Sequence, residues 1–385
     1  MEKVSATTSK VNTNTDTAKN IAQQLLESAG IAINGHEPWD IQIHNEEIYS
    51  RVLHDNSLGL GEAYMDKWWD CQRLDIFFEK ILRARLDAKI KIPFHFYLRL
   101  LLARIINFQT KSRAKQVAYK HYDLGNPLFT AMLDKRMIYS CAYWKDAATL
   151  EEAQEKKLDL ICQKLQLKPG HRLLDIGCGW GGLARFAAEN YGANVVGVTI
   201  SEQQYRYAKE YCKDLPVEIR LQDYRDINET FDRIVSVGMF EHVGYMNYPT
   251  FMATAHRALA DNGLFLLHTI GVNESSYFAN EWITKYIFPN GMLPSIAQVA
   301  KPTEKLFVME DWHNFGSYYD NTLMAWHENF LRHWENLKSQ YDDRFYRMWT
   351  YYLLSCAGGF RARTIQLWQI VFSKRGVIGG YLAPR

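Results

Sequence analysis

The chain has 385 residues, 47% of them apolar, and its 45 Lys and Arg against 43 Asp and Glu leave a net charge of +2. That is enough for two domains with a sizeable core, and it excludes a largely disordered chain. No run of 18 uninterrupted apolar residues occurs, which excludes a membrane-spanning helix, and the six scattered cysteines have neither pairing nor metal-ligand spacing. Reduced thiols in a cytoplasmic protein fit this pattern.

Residues 1–20 are a polar Ser, Thr and Asn run, expected to be a disordered tail without a secretory signal. A helical pattern begins at Ile21 (Ile21, Leu25, Leu26) and stops at Gly30, and short segments follow around Ile41–Ile43 and Val52–Leu53. Leu58–Trp69 is dense in glycine and aromatics, and Leu74–Leu86 has amphipathic helical spacing. Phe94–Phe108 is the most apolar stretch, broken by Arg99 and Arg104. Between Ile81 and Lys120, ten Lys and Arg stand against one acid, Asp87, a local charge of +9 that leaves −7 for the remainder. Such a segment either lies in a lipid headgroup layer, its long stems snorkelling, or is a buried helix with a solvated basic rim. Nucleic acid is disfavoured, because no zinc spacing, RNA-binding signature or helix-turn-helix accompanies the charge. The interleaved residues are also aliphatic as often as aromatic, which suits acyl chains better than bases. Residues 21–110 are therefore expected to form a smaller, mainly helical domain that associates with lipid. Residues 111–135 then serve as a linker and the start of a catalytic domain, 136–385.

In that second domain a helix over Leu150–Leu167 leads to the apolar run His171–Ile176, which drives into Gly177, Gly179 and Gly181. A strand, a tight turn and a helix follow from this order. The glycines let the chain turn sharply and let a ligand approach the backbone, while the helix N-terminus offers unpaired N–H groups. Gly177, Gly179 and Gly182 also fit the dinucleotide fingerprint G-x-G-x-x-G. Two features favour S-adenosylmethionine instead. Asp175 precedes the first glycine in the pattern D-x-G-x-G-x-G, and the second strand, Ala193–Thr199, ends without the acid that holds a dinucleotide ribose. Strands at 171–176, 193–199, 217–222, 232–238 and 263–269 alternate with helices at 182–190, 202–213 and 248–260, a doubly wound α/β pattern. A connection runs through Asn290–Gly291. Aromatic helices near 317–337 and 342–360 then precede a last strand, Ile365–Phe372. The order resembles the Rossmann-like, seven-stranded sheet of S-adenosylmethionine-dependent methyltransferases with its antiparallel final hairpin.

Six motifs resemble the cyclopropane-fatty-acyl-phospholipid synthases and the related mycolic acid cyclopropane synthases. They are H-Y-D-L-G-N (His121–Asn126), Y-S-C-A-Y-W (Tyr139–Trp144), L-D-I-G-C-G-W-G-G (Leu174–Gly182), V-T-I-S-E-Q-Q (Val198–Gln204), F-D-R-I-V-S-V-G-M-F-E-H-V-G (Phe231–Gly244) and L-L-H-T-I-G (Leu266–Gly271). The likeness runs from about residue 20 to the C-terminus and includes Gly59–Trp69, a portion that the mycolic enzymes lack. It implies transfer of a methylene from S-adenosylmethionine to a cis double bond of an acyl chain in a membrane phospholipid. It also implies a cytoplasmic homodimer, peripheral on the inner face of the membrane and bound to its anionic surface. An alkene methyltransferase giving a methyl-branched or methylene lipid shares the same chemistry up to the cation. A lipid-binding module without activity is disfavoured, since the glycine turn and the acid and His positions are all present.

The resemblance also implies site residues. S-adenosylmethionine would contact Tyr139, Ser140, the turn carrying Asp175, Gly177, Gly179 and Gly181, then Thr199, Gln204, Asp223, Tyr224 and Arg225. Thr199 and Gln204 would replace the usual ribose acid, and Asp223 or Tyr224 sits where adenine is commonly read. A bicarbonate ion, acting as base, would be held by Cys141, Glu241, His268 and Tyr319 with the backbone of Ile270; no metal is implied. Independently of the resemblance, Glu241 follows the fourth strand and His268 closes the fifth, both at the carboxyl edge where open sheets build their sites. Cys141 also suits plain packing.

Overall fold

The computed structural model describes residues 5–86, 125–277 and 280–385, with side chains from residue 17 onward. The chain forms two compact units: Met1–Phe94 with Asn280–Ile287 and Trp334–Thr364, and His95–Ala279 with Phe288–His333 and Ile365–Arg385. The first unit is thus assembled from three separated stretches, where one contiguous domain over 21–110 was expected. Phe94–Phe108, the basic positions beyond Leu86, His121–Leu124 and the boundary at 110/111 lie outside the described residues.

In the first unit the expected disordered tail is instead the start of a helix, Ser5–Ser28. No Pro or Gly interrupts the chain before Gly30, so nothing local stops helical hydrogen bonding. Helix Ile48–Met65 kinks at Asn56 (φ 49°), and helices Leu74–Arg83 and Asp343–Arg361 pack together around Phe77, Phe78 and Tyr351. Gly61 is a close-approach site: a Cβ there would fall 2.4 Å from the indole of Trp282. Asp75, almost fully buried, is paired with Arg73 and Arg361, each at 2.7 Å.

The second unit is built on a seven-stranded sheet. Its strands are β1 (Arg172–Ile176), β2 (Asn194–Thr199), β3 (Val217–Leu221), β4 (Phe231–Val237), β5 (Leu259–Val272), β6 (Val308–Asn314) and β7 (Ile365–Ser373). They lie in the order 3-2-1-4-5-7-6, the first five parallel and β7 antiparallel between β5 and β6. Side chains alternate across the sheet. Leu174, Val196, Ile234, Phe265 and Ile370 enter one core cluster, while Leu173, Val195, Val235, Leu266 and Val371 enter another. Burial on both faces is why the parallel strands read as apolar runs. Helices α1 (Leu150–Lys164), α2 (Gly182–Tyr191), α3 (Glu202–Tyr211), α4 (Tyr248–Ala258) and α5 (Ser317–Leu337) fall close to their expected spans. The periodicity did not place β6. It is an edge strand, V-M-E-D-W-H-N, with a register shift between Met309 and Asp311, and edge strands carry charge rather than an apolar run. Strand order reverses around β1, so the carboxyl ends of β1, β2 and β4 open a crevice. No described helix is long and apolar enough to cross a membrane.

Candidate active site

The turn after β1 fills that crevice. The N–H groups of Gly177 and Cys178 donate to the Val198 carbonyl at 2.9 and 3.1 Å, pinning the turn to β2. Gly177 and Gly179 hold φ of +86° and +54°, in the left-handed region that favours glycine. In front of them lies a cavity of about 190 Å³, lined by every expected cofactor residue except Gly181. Gly181 closes the start of α2 instead. A Cβ there would meet Ala208 of α3 and Cys212 at its C-cap, each at 3.1 Å, so it serves packing between α2 and α3.

Thr199 and Gln204 are both buried cavity residues, and the Thr199 hydroxyl donates to Gln204 Oε1 at 3.0 Å. A neutral polar pair therefore stands at the end of β2 where a dinucleotide enzyme has an acid. Arg225 holds Asp223 through two parallel bonds, Nε to Oδ1 at 2.8 Å and Nη2 to Oδ2 at 2.6 Å, which fixes the carboxylate plane. Tyr139 packs against Phe129, Phe288 and Trp326, an aromatic wall beside the cavity.

The cavity also contains side chains that sequence reasoning did not select: Lys157, Trp180, Met239, His242, Pro289 and Asn290. Trp180 lies within the glycine motif, and its indole donates to Asn126 Oδ1 at 3.3 Å, joining two of the motifs. Lys157 gave no signal, being one lysine on an amphipathic helix. It is fully buried, and its ammonium donates to Ser140 Oγ at 2.8 Å. Burial pushes the Lys157 ammonium down to about 8 and the Asp175 carboxyl up to about 7. Asp175 Oδ2 has no hydrogen-bond partner among the described residues. Burial also pushes His242 down to about 4, so its imidazole is neutral.

None of Cys141, Glu241, His268, Ile270 and Tyr319 lines this cavity, although Cys141 and Glu241 each adjoin a residue that does, Ser140 and His242. The structure joins some of the five directly. The Ile270 N–H donates to Glu241 Oε1 at 2.7 Å, and His268 lies two residues before Ile270 on β5. Cys141 Sγ lies 4.0 Å from Thr322 Oγ1, one turn beyond Tyr319 on α5. Glu241 Oε2 and His268 Nε2 are buried without a hydrogen-bond partner among the described residues. Burial raises the Glu241 carboxyl to about 7, lifts the Cys141 thiol, and holds His268 well below its ordinary value.

A 3-2-1-4-5-7-6 sheet with a ligand-sized cavity at its glycine turn defines the fold of the S-adenosylmethionine-dependent methyltransferases. The structure is similar to coclaurine N-methyltransferase (TM-score 0.69 over 82% of this chain and 99% of that one), where 21% identity carries the fold alone. Within that class the chain belongs to the mycolic acid cyclopropane synthetase family, whose model matches residues 109–370. It is 59% identical to the cyclopropane-fatty-acyl-phospholipid synthase of Escherichia coli K12 over 365 residues, 95% of each chain. It is 34% identical to the Mycobacterium tuberculosis cyclopropane synthase MmaA2 (TM-score 0.64), covering 68% of this chain and 98% of that one. Identity, TM-score and coverage are the same for mycolic acid cyclopropane synthase CmaA1, whose crystal structure is complexed with SAH and CTAB.

Proposed function

We propose that this chain transfers a methylene group from S-adenosylmethionine to the cis double bond of an unsaturated acyl chain in a membrane phospholipid, giving a cyclopropane ring and S-adenosylhomocysteine. The observation that carries this reading is the glycine-turn cavity, lined by the neutral Thr199–Gln204 pair and the Arg225-braced Asp223. It occurs in a chain so similar, end to end, to a synthase of that name.

S-adenosylmethionine, when bound, supplies an electrophilic methyl on a sulfonium. An isolated alkene is a poor nucleophile, so the protein must align it with that methyl and exclude water, which would otherwise trap the cation as an alcohol. Gly179 leaves room for close approach of the nucleoside, while the missing Cβ of Gly177 accommodates Met239 at 2.8 Å; Thr199 and Gln204 suit the ribose, and Asp223 suits the adenine. Neutral His242 adds no positive charge beside a sulfonium. The aromatic wall of Tyr139, Phe129, Phe288 and Trp326 keeps the reacting centre dry. Ring closure requires loss of a proton from the new methyl. Cys141, Glu241, His268 and Tyr319 are the set that would hold a bicarbonate ion as the base, with the Ile270 backbone N–H, donated to Glu241 Oε1, orienting that carboxylate. Glu241 Oε2 and His268 Nε2, buried and without a partner among the described residues, fit a small ion with both an O–H and acceptor oxygens.

Peripheral attachment to the inner, anionic face of the cytoplasmic membrane belongs to the same reading, supported by the +9 charge between Ile81 and Lys120. The homodimer rests on the resemblance, and light scattering of the purified chain measures it. The reaction itself is tested with cofactor bearing a fully deuterated methyl. Ring closure discards one label, so the product should carry two deuteriums and the upfield proton signals of a cyclopropane. Product retaining three would make the enzyme a methyl-branching transferase.

A further inference from the structure

We propose that Gln369 is a positioning residue of the reaction site, whose side-chain N–H donates to His268 Nδ1 and so presents His268 Nε2–H to the bound anion. The inference rests on reading His268 as part of the anion-holding set. β7 runs antiparallel to β5 with Gln369 directly opposite His268. Gln369 Nε2 lies 3.3 Å from His268 Nδ1, and the two residues are 0% and 1% exposed. A buried amide amid the apolar run I-Q-L-W-Q-I-V-F is costly, and among the described residues the His268 contact satisfies its Nε2 while Oε1 has no partner, so this one bond is what the position offers in place of an aliphatic side chain.

The direction of that bond decides the chemistry. Whichever ring nitrogen accepts a hydrogen bond leaves the other to carry the proton. If the amide nitrogen faces Nδ1, then Nε2, which has no partner among the described residues, becomes a donor. If the amide is turned over, Oε1 accepts from Nδ1–H and Nε2 presents a bare lone pair. Bicarbonate has a single O–H and otherwise only acceptor oxygens. Glu241 Oε2, also unpartnered and an acceptor when ionised, suits that one O–H. The remaining oxygens need donors, which assigns the donor role to His268 and the donating orientation to Gln369. Burial, with the charges of Lys157 and Lys164, keeps the imidazole from taking a second proton. Phe315 packs edge-on at 5.9 Å and limits rotation of the ring.

The test is a nitrogen NMR spectrum of full-length protein labelled with ¹⁵N-imidazole histidine, with His268 assigned from its loss in a His268→Gln variant. In bicarbonate-containing buffer the wild-type ring should show protonated Nε2 and unprotonated Nδ1. Gln369→Glu, read well above the raised range of a buried carboxyl so that it is ionised and only accepts, should move the proton to Nδ1 or give the imidazolium. A wild-type Nδ1–H tautomer or imidazolium would overturn the proposal, and that spectrum needs no variant at position 369 to fold. Kinetics then separate the proposal from the reading beneath it. Gln369→Glu should raise the bicarbonate concentration giving half-maximal rate by about 10- to 100-fold, the range expected for one hydrogen bond to a charged group, with affinity for S-adenosylhomocysteine unchanged. A wild-type rate indifferent to bicarbonate, with the expected tautomer in place, would remove bicarbonate as the base while leaving the Gln369–His268 arrangement standing.

Discussion

Gly179 and Gly182 sit three residues apart in one turn and line one cavity, yet the same Gly→Ala change perturbs different things at each. Gly179 holds φ +54°, and a Cβ built on it meets no described residue within 4 Å, so the added methyl would occupy cavity space. Its stability cost is the left-handed strain of an L-residue, about 1–2 kcal/mol, without a packing clash. At Gly182 the Cβ would fall 2.4 Å from the Arg136 carbonyl oxygen and 2.4 Å from Ile138 Cδ1. Overpacking of that kind costs about 1–3 kcal/mol, and backbone on one side of the clash leaves little room to relax. Gly179→Ala should therefore keep most of its thermal stability and weaken S-adenosylhomocysteine binding by roughly 10- to 200-fold, the range for a methyl-sized misfit in a fitted pocket. Gly179→Val should weaken it further. Gly182→Ala should mainly lower the melting temperature. Isothermal titration with S-adenosylhomocysteine, paired with thermal unfolding by circular dichroism, reads both quantities. A folded Gly179→Val protein that binds S-adenosylhomocysteine as tightly as wild type would refute the assignment of this cavity to the nucleoside.

Glu241→Gln keeps the shape but offers a weaker acceptor, and turnover should fall by about 10²–10⁴-fold, as for loss of a positioned base; binding of S-adenosylhomocysteine should hold steady, and full activity would remove Glu241 from the site. Burial raises the Asp75 carboxyl, but hydrogen bonds from Arg73 and Arg361 overcome it and hold the group at about 2. Its folded value being depressed, Asp75 contributes stability that is full above the ordinary carboxyl range and is lost as pH falls through about 2, on the order of 2 kcal/mol. Asp75→Asn should lower the denaturant midpoint at pH 7 and flatten its acid dependence between about pH 4 and pH 2; an unchanged midpoint at pH 7 contradicts the pairing. If the basic segment between Ile81 and Lys120 docks on anionic lipid, co-sedimentation with anionic vesicles should weaken as salt rises, at about 1 kcal/mol per basic residue near the surface. Equal binding to neutral and anionic vesicles at both salts would discard the electrostatic contribution.

Local physics made much of this protein legible in advance. Parallel strands buried on both faces must be apolar runs, so β1, β2, β4 and the core of β5 stood out, and the glycines after β1 marked a turn a ligand can approach closely. The neutral end of β2 already separated this cavity from a dinucleotide site, because Thr199 and Gln204 are near neighbours in the chain. Tertiary structure decided what depends on partners far apart in sequence. Gly181 and Gly182 look alike in the motif, but only packing against Ala208 and Cys212 on one side, and Arg136 and Ile138 on the other, gives each its task. Gly61 is required because Trp282, more than two hundred residues on, lies against it, and no periodicity within either helix records that approach. Lys157 becomes a cavity residue only when α1 lays it beside Ser140. His268 and Gln369 meet because β7 inserts antiparallel beside β5 in one register, and a shift of a single residue would turn the Gln369 side chain to the opposite face of the sheet.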